Sequence, residues 1–162
     1  SGIGSEALAI TEHVYGADDD KVADILAALS VTRRCLGDNA KAREMQERAL
    51  QITENVYGEN HLEVAEVLEF LSESYMNLGD LAKAVELQER ALVIAKHVYG
   101  ENHKRVAVFL TPLGVSYTLA GDVAKARDIC ERALVISEND EEVVRVLAAL
   151  GKKWKTMELE NF

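Results

Sequence analysis

The stretch HVYGENH, residues 97–103, has a near-twin in NVYGENH at 55–61 and a worn relative in HVYGADD at 13–19. Tyr15, Tyr57 and Tyr99 stand 42 residues apart, and Gly16, Gly58 and Gly100 keep the same step. A segment respelled at one fixed interval, with no insertion between copies, is the mark of a repeat architecture. Working outward, residues 47–88 laid over 89–130 agree at 22 of 42 positions, sharing ERAL, VYGENH, SY, GD and AKA. Residues 5–46 follow the same register more loosely.

Each unit reads as two amphipathic helices. In the first, Val64, Leu68, Leu71 and Tyr75 recur at spacings of three and four and share one face. In the second, Ala84, Leu87, Ala91, Leu92 and Ile94 form the buried side. Gly37, Gly79 and Gly121 can end a first helix in the left-handed conformation, and Asp38, Asp80 and Asp122 can cap the helix that follows. In the VYGENH joint, Gly58 and Gly100 close the longer helix, Asn60 or Asn102 offers the next cap, and Asn60 with Glu63 suggests a capping box. Neither helix buries its face alone, so the units must stack.

The ends fit the same register. Residues 3–15 match a second helix without its first, and 143–157 match a first helix, with Leu147, Leu150, Gly151 and Trp154 at the two leucine, small and aromatic sites. That helix arrives after a step of 37 residues instead of 42, because SEND replaces the extended joint. The expected organisation is one repeat domain over 1–162: a half repeat at 3–15, linking units at about 20–57, 62–99 and 104–137, and a terminal helix at about 141–157. The apolar residues left at the ends suggest a piece of a longer array, since a natural cap shows a polar outer face.

Composition removes several function classes. A net charge of −10 opposes nucleic-acid binding, which needs clustered Lys and Arg. No window approaches the roughly 18 apolar residues of a membrane span, and Ser1-Gly2-Ile3-Gly4 has neither the basic flank nor the apolar run of a signal peptide. Cys35 and Cys130 are far apart and fall in helical patterns, so buried or half-buried thiols in a reducing, cytoplasmic setting are expected.

Little points to catalysis. His13 and His97 share one repeat site, His61 and His103 another, and repetition at a joint speaks for structure over metal binding. The chain has no HExxH, no phosphate-cradling glycine loop and no Gly-x-Ser-x-Gly, and Asp18-Asp19-Asp20 lacks the alternating spacing of a calcium loop. No enzyme activity, cofactor or metal is expected. Pro112 is the odd residue: mid-helix, it removes a donor and crowds the preceding turn, typically costing about 3 kcal/mol.

Leu71-Ser72, Tyr75, Gly79-Asp80, Ala84, Ala91 and Leu92 resemble the tetratricopeptide repeat signature, in which small residues let paired helices approach. The small sites are Ser30, Ser72, Gly114 and Gly151 on first helices, and Ala42, Ala84, Ala126, Ala49, Ala91 and Ala133 on second helices. The 42-residue unit is longer than the usual repeat of about 34 and is similar to the repeats of kinesin light chains and related adaptors. The resemblance implies an all-α, right-handed superhelical solenoid of about eight antiparallel helices. It also implies a noncatalytic scaffold or adaptor that binds a partner's peptide in a concave groove lined by first helices. The alternatives are self-assembly through the open ends, head to tail, or service as the regulatory arm of a larger enzyme or sensor.

Mapped through that resemblance, the groove takes Arg34 from the first unit and Glu66, Glu69, Phe70, Glu73 and Asn77 from the second. The third offers Val108, Thr111, Pro112, Val115, Thr118 and Leu119, and the terminal helix adds Arg145, Lys152 and Lys155. Glu66, Glu69 and Glu73 lie on one helical face, as an acidic stripe set against a basic terminal helix. Where kinesin light chains tend to carry paired asparagines, this chain has Ala27-Ala28, Glu69-Phe70 and Thr111-Pro112. Partners are therefore expected to be proteins or peptides, not nucleic acid or membrane.

Overall fold

The computed structural model describes residues 2–137 and 140–160, which hold eight α-helices and no strand. They fall into two compact units, residues 1–80 and 81–162. The first contains α1 (Gly2–Tyr15), α2 (Asp20–Cys35), α3 (Asn39–Tyr57) and α4 (Leu62–Asn77). The second contains α5 (Leu81–Tyr99), α6 (Val106–Leu119), α7 (Val123–Ile136) and α8 (Glu141–Glu160).

In the first unit each helix packs on the next. Gly37, at φ +81°, ends α2, and the Asp38 amide returns to the Arg33 carbonyl at 2.9 Å. The Asp38 carboxylate then accepts from the Lys41 amide at 3.2 Å and starts α3, so the GD pair turns the chain within three residues. The far end of α3 comes back to the beginning of α2, where the Tyr57 hydroxyl donates to Asp20 at 3.0 Å, which fixes the pair as antiparallel. Val22, Ala23, Leu26, Ala49 and Ile52 form the core between them, with Leu8, Met45 and Val67 packed against it. The Tyr75 hydroxyl of α4 donates to Glu47 of α3 at 2.5 Å, and that bond pushes the phenol up to about 12.

The second unit repeats these devices. Ala84, Leu87, Ala91, Leu92 and Ile94 are buried, as the helical spacing predicts. Asp122 accepts from the Lys125 amide at 3.1 Å and caps α7. Tyr117, one repeat after Tyr75, donates to Glu89. The small site at Gly114 is a close approach: a Cβ there would run into Cys130 Sγ on α7. At Gly151 the same site is open, with nothing within 4 Å of an added Cβ. Trp154 is buried as expected, and its indole N–H donates to Thr118 Oγ1 at 2.8 Å, tying α8 to α6.

The VYGENH joint differs from expectation in one respect. Gly16, Gly58 and Gly100 do take positive φ, at 98°, 86° and 91°. At α4, however, the cap is His61, whose Nδ1 accepts from the Glu63 amide, and in the next copy His103 Nδ1 accepts from the Arg105 amide in the turn before α6, both at 3.2 Å. The Asn60–Glu63 capping box does not form. The reason is the tyrosine, whose ring is a shelf for the imidazole, with centroids 4.8 Å apart for Tyr57 and His61 and 5.2 Å for Tyr99 and His103. Stacking holds Nδ1 at the helix start. In the worn first copy the same repeat position is Asp19, which caps α2 through the Lys21 amide at 3.0 Å. Cys130 is buried as expected, and burial pushes its thiol up to about 11. Cys35, the last residue of α2, is exposed instead.

Candidate functional site

In the first unit the residues that the register assigns to a groove lie on α2 and α4, both first helices of their pairs. Arg34 of α2 forms an ion pair with Glu73 of α4. Glu69 sits one turn before Glu73 and is mostly buried, with its Oε1 shielded from solvent and without a hydrogen-bond partner among the described residues. Burial first, then the charge of Glu73, pushes its carboxyl up to about 8, so the acid is largely neutral at pH 7. Glu66, Glu73, Phe70 and Asn77 are exposed, Phe70 at 45%. The acidic stripe therefore holds three chemically unlike carboxyls: one exposed, one held neutral, and one engaged by Arg34.

The second unit carries a cleft of about 500 Å³ between α6 and α8. On the α6 side it is lined by Lys104, Arg105, Ala107, Val108, Thr111 and Pro112. The other wall is Ser137 and Asp140, then Glu142, Val143 and Val146 of α8. The helix lengths explain why Ser137, just after α7, borders it: α7 has 14 residues, against 19 for α3 and α5. Asp140 starts α8 by accepting from the amides of Glu142 at 3.0 Å and Val143 at 3.4 Å. Thr111 turns its hydroxyl back to the Ala107 carbonyl at 2.9 Å, leaving its methyl and the apolar neighbours as the wall.

Pro112 gives this wall an unusual polar feature. It lies inside a continuous helix from Val106 to Leu119, yet has no N–H to return to the Val108 carbonyl one turn earlier. That carbonyl is an acceptor lacking its helical donor, on a residue that lines the cleft and is 66% exposed.

The structure thus brings Thr111 to a cleft with Val108 and Pro112, all three positions that the register assigns to a groove. Arg145, Lys152 and Lys155 are exposed on α8, and none of them lines it. Thr118 is corrected: it is buried at 1% exposure, and its hydroxyl is occupied by Trp154 and the Gly114 carbonyl. Lys104, Arg105, Asp140, Glu142, Val143 and Val146 were not legible as a wall, although the shortened 37-residue step was the signal that something changes there. Among the described residues no group of three or more His, Cys, Asp or Glu is placed to hold a metal ion, and no helix is long and apolar enough to cross a membrane.

Helical hairpins spelled at a fixed step define an all-α repeat protein. The tetratricopeptide repeat model matches residues 3–54, 32–75 and 63–139, and the chain belongs to that family. Among solved structures it is similar to BtubC (BKLC) from P. vanneervenii, with a TM-score of 0.80 and 26% identity over 97% of this chain. It spans 66% of that chain's length. A putative kinesin light chain of Podosopora anserina with nearly identical TPR-like repeats superposes with a TM-score of 0.72 at 16% identity, over 96% of this chain and 85% of that one. A single-substitution variant of that protein gives the same score and identity over 97% and 86%. At that identity the likeness shows the fold. No curated protein sequence matches the chain significantly.

Proposed function

We propose that the chain is a noncatalytic interaction module, a scaffold or adaptor, that binds an extended peptide segment of a partner protein along its first-helix faces. Tetratricopeptide repeats generally mediate protein–protein interaction, and the observation that carries the reading here is the α6–α8 cleft. Its volume of about 500 Å³ lies within the range of ligand pockets, and its walls are apolar side chains with polar groups at the rim. The two thiols, free and far apart in sequence, suit a reducing cytoplasmic setting.

The test is a selection of random dodecapeptides displayed on phage, followed by calorimetry on the recovered sequences. Val143→Arg, which puts a charge into the apolar wall at a half-buried site, should abolish binding while the circular dichroism spectrum stays unchanged. Equal binding by wild type and variant would remove the cleft from the account.

A second reading rests on α1, which buries none of its residues and exposes Ile3 at 85%, Ile10 at 63% and Val14 at 60%. Such a face suits self-association. Light scattering across a concentration series decides it: a mass that never rises above 17.8 kDa dismisses self-assembly of this chain.

A further inference from the structure

The cleft's rim is polarised. Lys104 and Arg105 stand just before α6, Asp140 and Glu142 at the start of α8, and all four line the same opening. Among the described residues no ion pair joins one lip to the other, and neither Lys104 nor Arg105 pairs with a carboxylate. Arg105 lies over the Tyr99 ring at 5.8 Å, and Asp140 commits one oxygen to the amides that begin α8. Between the lips the walls are apolar: Val108 and Pro112 on one side, Val143 and Val146 on the other.

Consider an extended segment laid across such an opening. In a polyproline-II conformation successive side chains are turned by about a third of a turn, so a central residue enters the cleft while its two neighbours splay toward the rim, about 6 Å apart along the segment. Two packed helices have axes roughly 8–10 Å apart, so those neighbours reach one lip each. An acidic side chain complements Lys104 and Arg105, a basic one complements Asp140 and Glu142, and a segment N–H can satisfy the Val108 carbonyl that Pro112 deprives of its donor.

Resting on the peptide-binding reading above, we infer that the α6–α8 cleft selects a partner segment with an acidic, an apolar and a basic residue in succession. The apolar side chain is held between Val108 and Val143, with its charged neighbours on opposite lips. The specificity is for mixed charge: a segment with two acids or two bases meets one complementary lip and one repulsive lip.

Synthetic nonapeptides flanked by Gly and Ser test this directly, titrated into ¹⁵N-labelled full chain at low salt. The probes carry Glu-Leu-Lys, Glu-Leu-Glu, Lys-Leu-Lys, Gln-Leu-Gln or Glu-Gly-Lys at the centre. Glu-Leu-Lys should bind at least fivefold more tightly than either like-charge probe and at least tenfold more tightly than the glycine probe, with amides of α6 and α8 shifting. Lys104→Glu should weaken Glu-Leu-Lys at least threefold and strengthen Lys-Leu-Lys. Lys104 is exposed and in no ion pair among the described residues, so the fold should be retained; Lys104→Gln, with a smaller loss, is the control. Equal affinities for the charged probes, or a ranking unmoved by Lys104→Glu, would overturn the inference. If display-selected peptides of another pattern still fill the cleft, the peptide-binding reading survives that failure. If neither these probes nor selected peptides shift cleft amides, both fall.

Discussion

Glu69→Gln should stabilise the chain in a manner that depends on pH. Burial and the neighbouring Glu73 hold the Glu69 carboxyl at about 8, against an ordinary value of 4.5. Between those values the folded chain keeps a proton that the unfolded chain has released. The folded state then binds more protons, and stability falls as pH rises. The favourable condition is fully present below about 4.5 and is lost on passing 8. At about 1.4 kcal/mol per pH unit, the cumulative loss is about 3 kcal/mol at pH 7 and close to nothing at pH 4. Glutamine keeps the shape and has no proton to lose, so the variant should gain that amount at pH 7 and match wild type at pH 4. Urea denaturation followed by circular dichroism at pH 4, 5.5, 7 and 8.5 gives both curves. A ¹³C titration of the Glu69 carboxyl reads the cause separately. Parallel stability profiles, or a titration midpoint below 5, would refute the reasoning.

Other substitutions probe the packing. Gly114→Ala should cost about 1–3 kcal/mol, because its Cβ meets Cys130 Sγ in a buried contact, and Cys130→Ala should restore most of the loss. Gly151→Ala, at the matching but open site, should instead gain about 0.5–1 kcal/mol from helix propensity, both read by denaturant midpoint. His61→Ala removes the cap of α4 and should cost about 1 kcal/mol; His61→Asn should recover most of it, since the side-chain acceptor returns without the ring. Trp154→Phe deletes the donor to Thr118 and should cost about 1–2 kcal/mol, with faster hydrogen exchange in α8.

Most of the fold was legible because the repeat is written in residues whose physics is local. Gly58 at positive φ, Asp38 at a cap and the apolar faces of Leu68 and Ile94 follow from spacing alone. The cap at His61 was misread because the usual preference for asparagine says nothing of a tyrosine ring four residues earlier that aims the imidazole. Groove positions were only partly legible. Val108 and Thr111, which the register assigns to a groove, line the α6–α8 cleft, whereas Thr118 is in the core because the aromatic site of α8 is filled by tryptophan, whose N–H needs an acceptor. The wall supplied by Val143 and Val146 depends on where a shortened connection sets α8 down, which no local pattern encodes. Likewise Glu69 and Glu73 look alike in sequence, and only packing makes one neutral and pairs the other with Arg34.

Valine methyl groups report directly on the α6–α8 cleft, the proposed peptide-binding face. In a ¹H–¹³C spectrum of the valine-labelled chain, a saturating display-selected peptide should shift Val108, Val143 and Val146 together. Val135, 79% exposed on α7, should stay in place. Shifts at Val135 with the three cleft methyls unmoved would contradict that proposal.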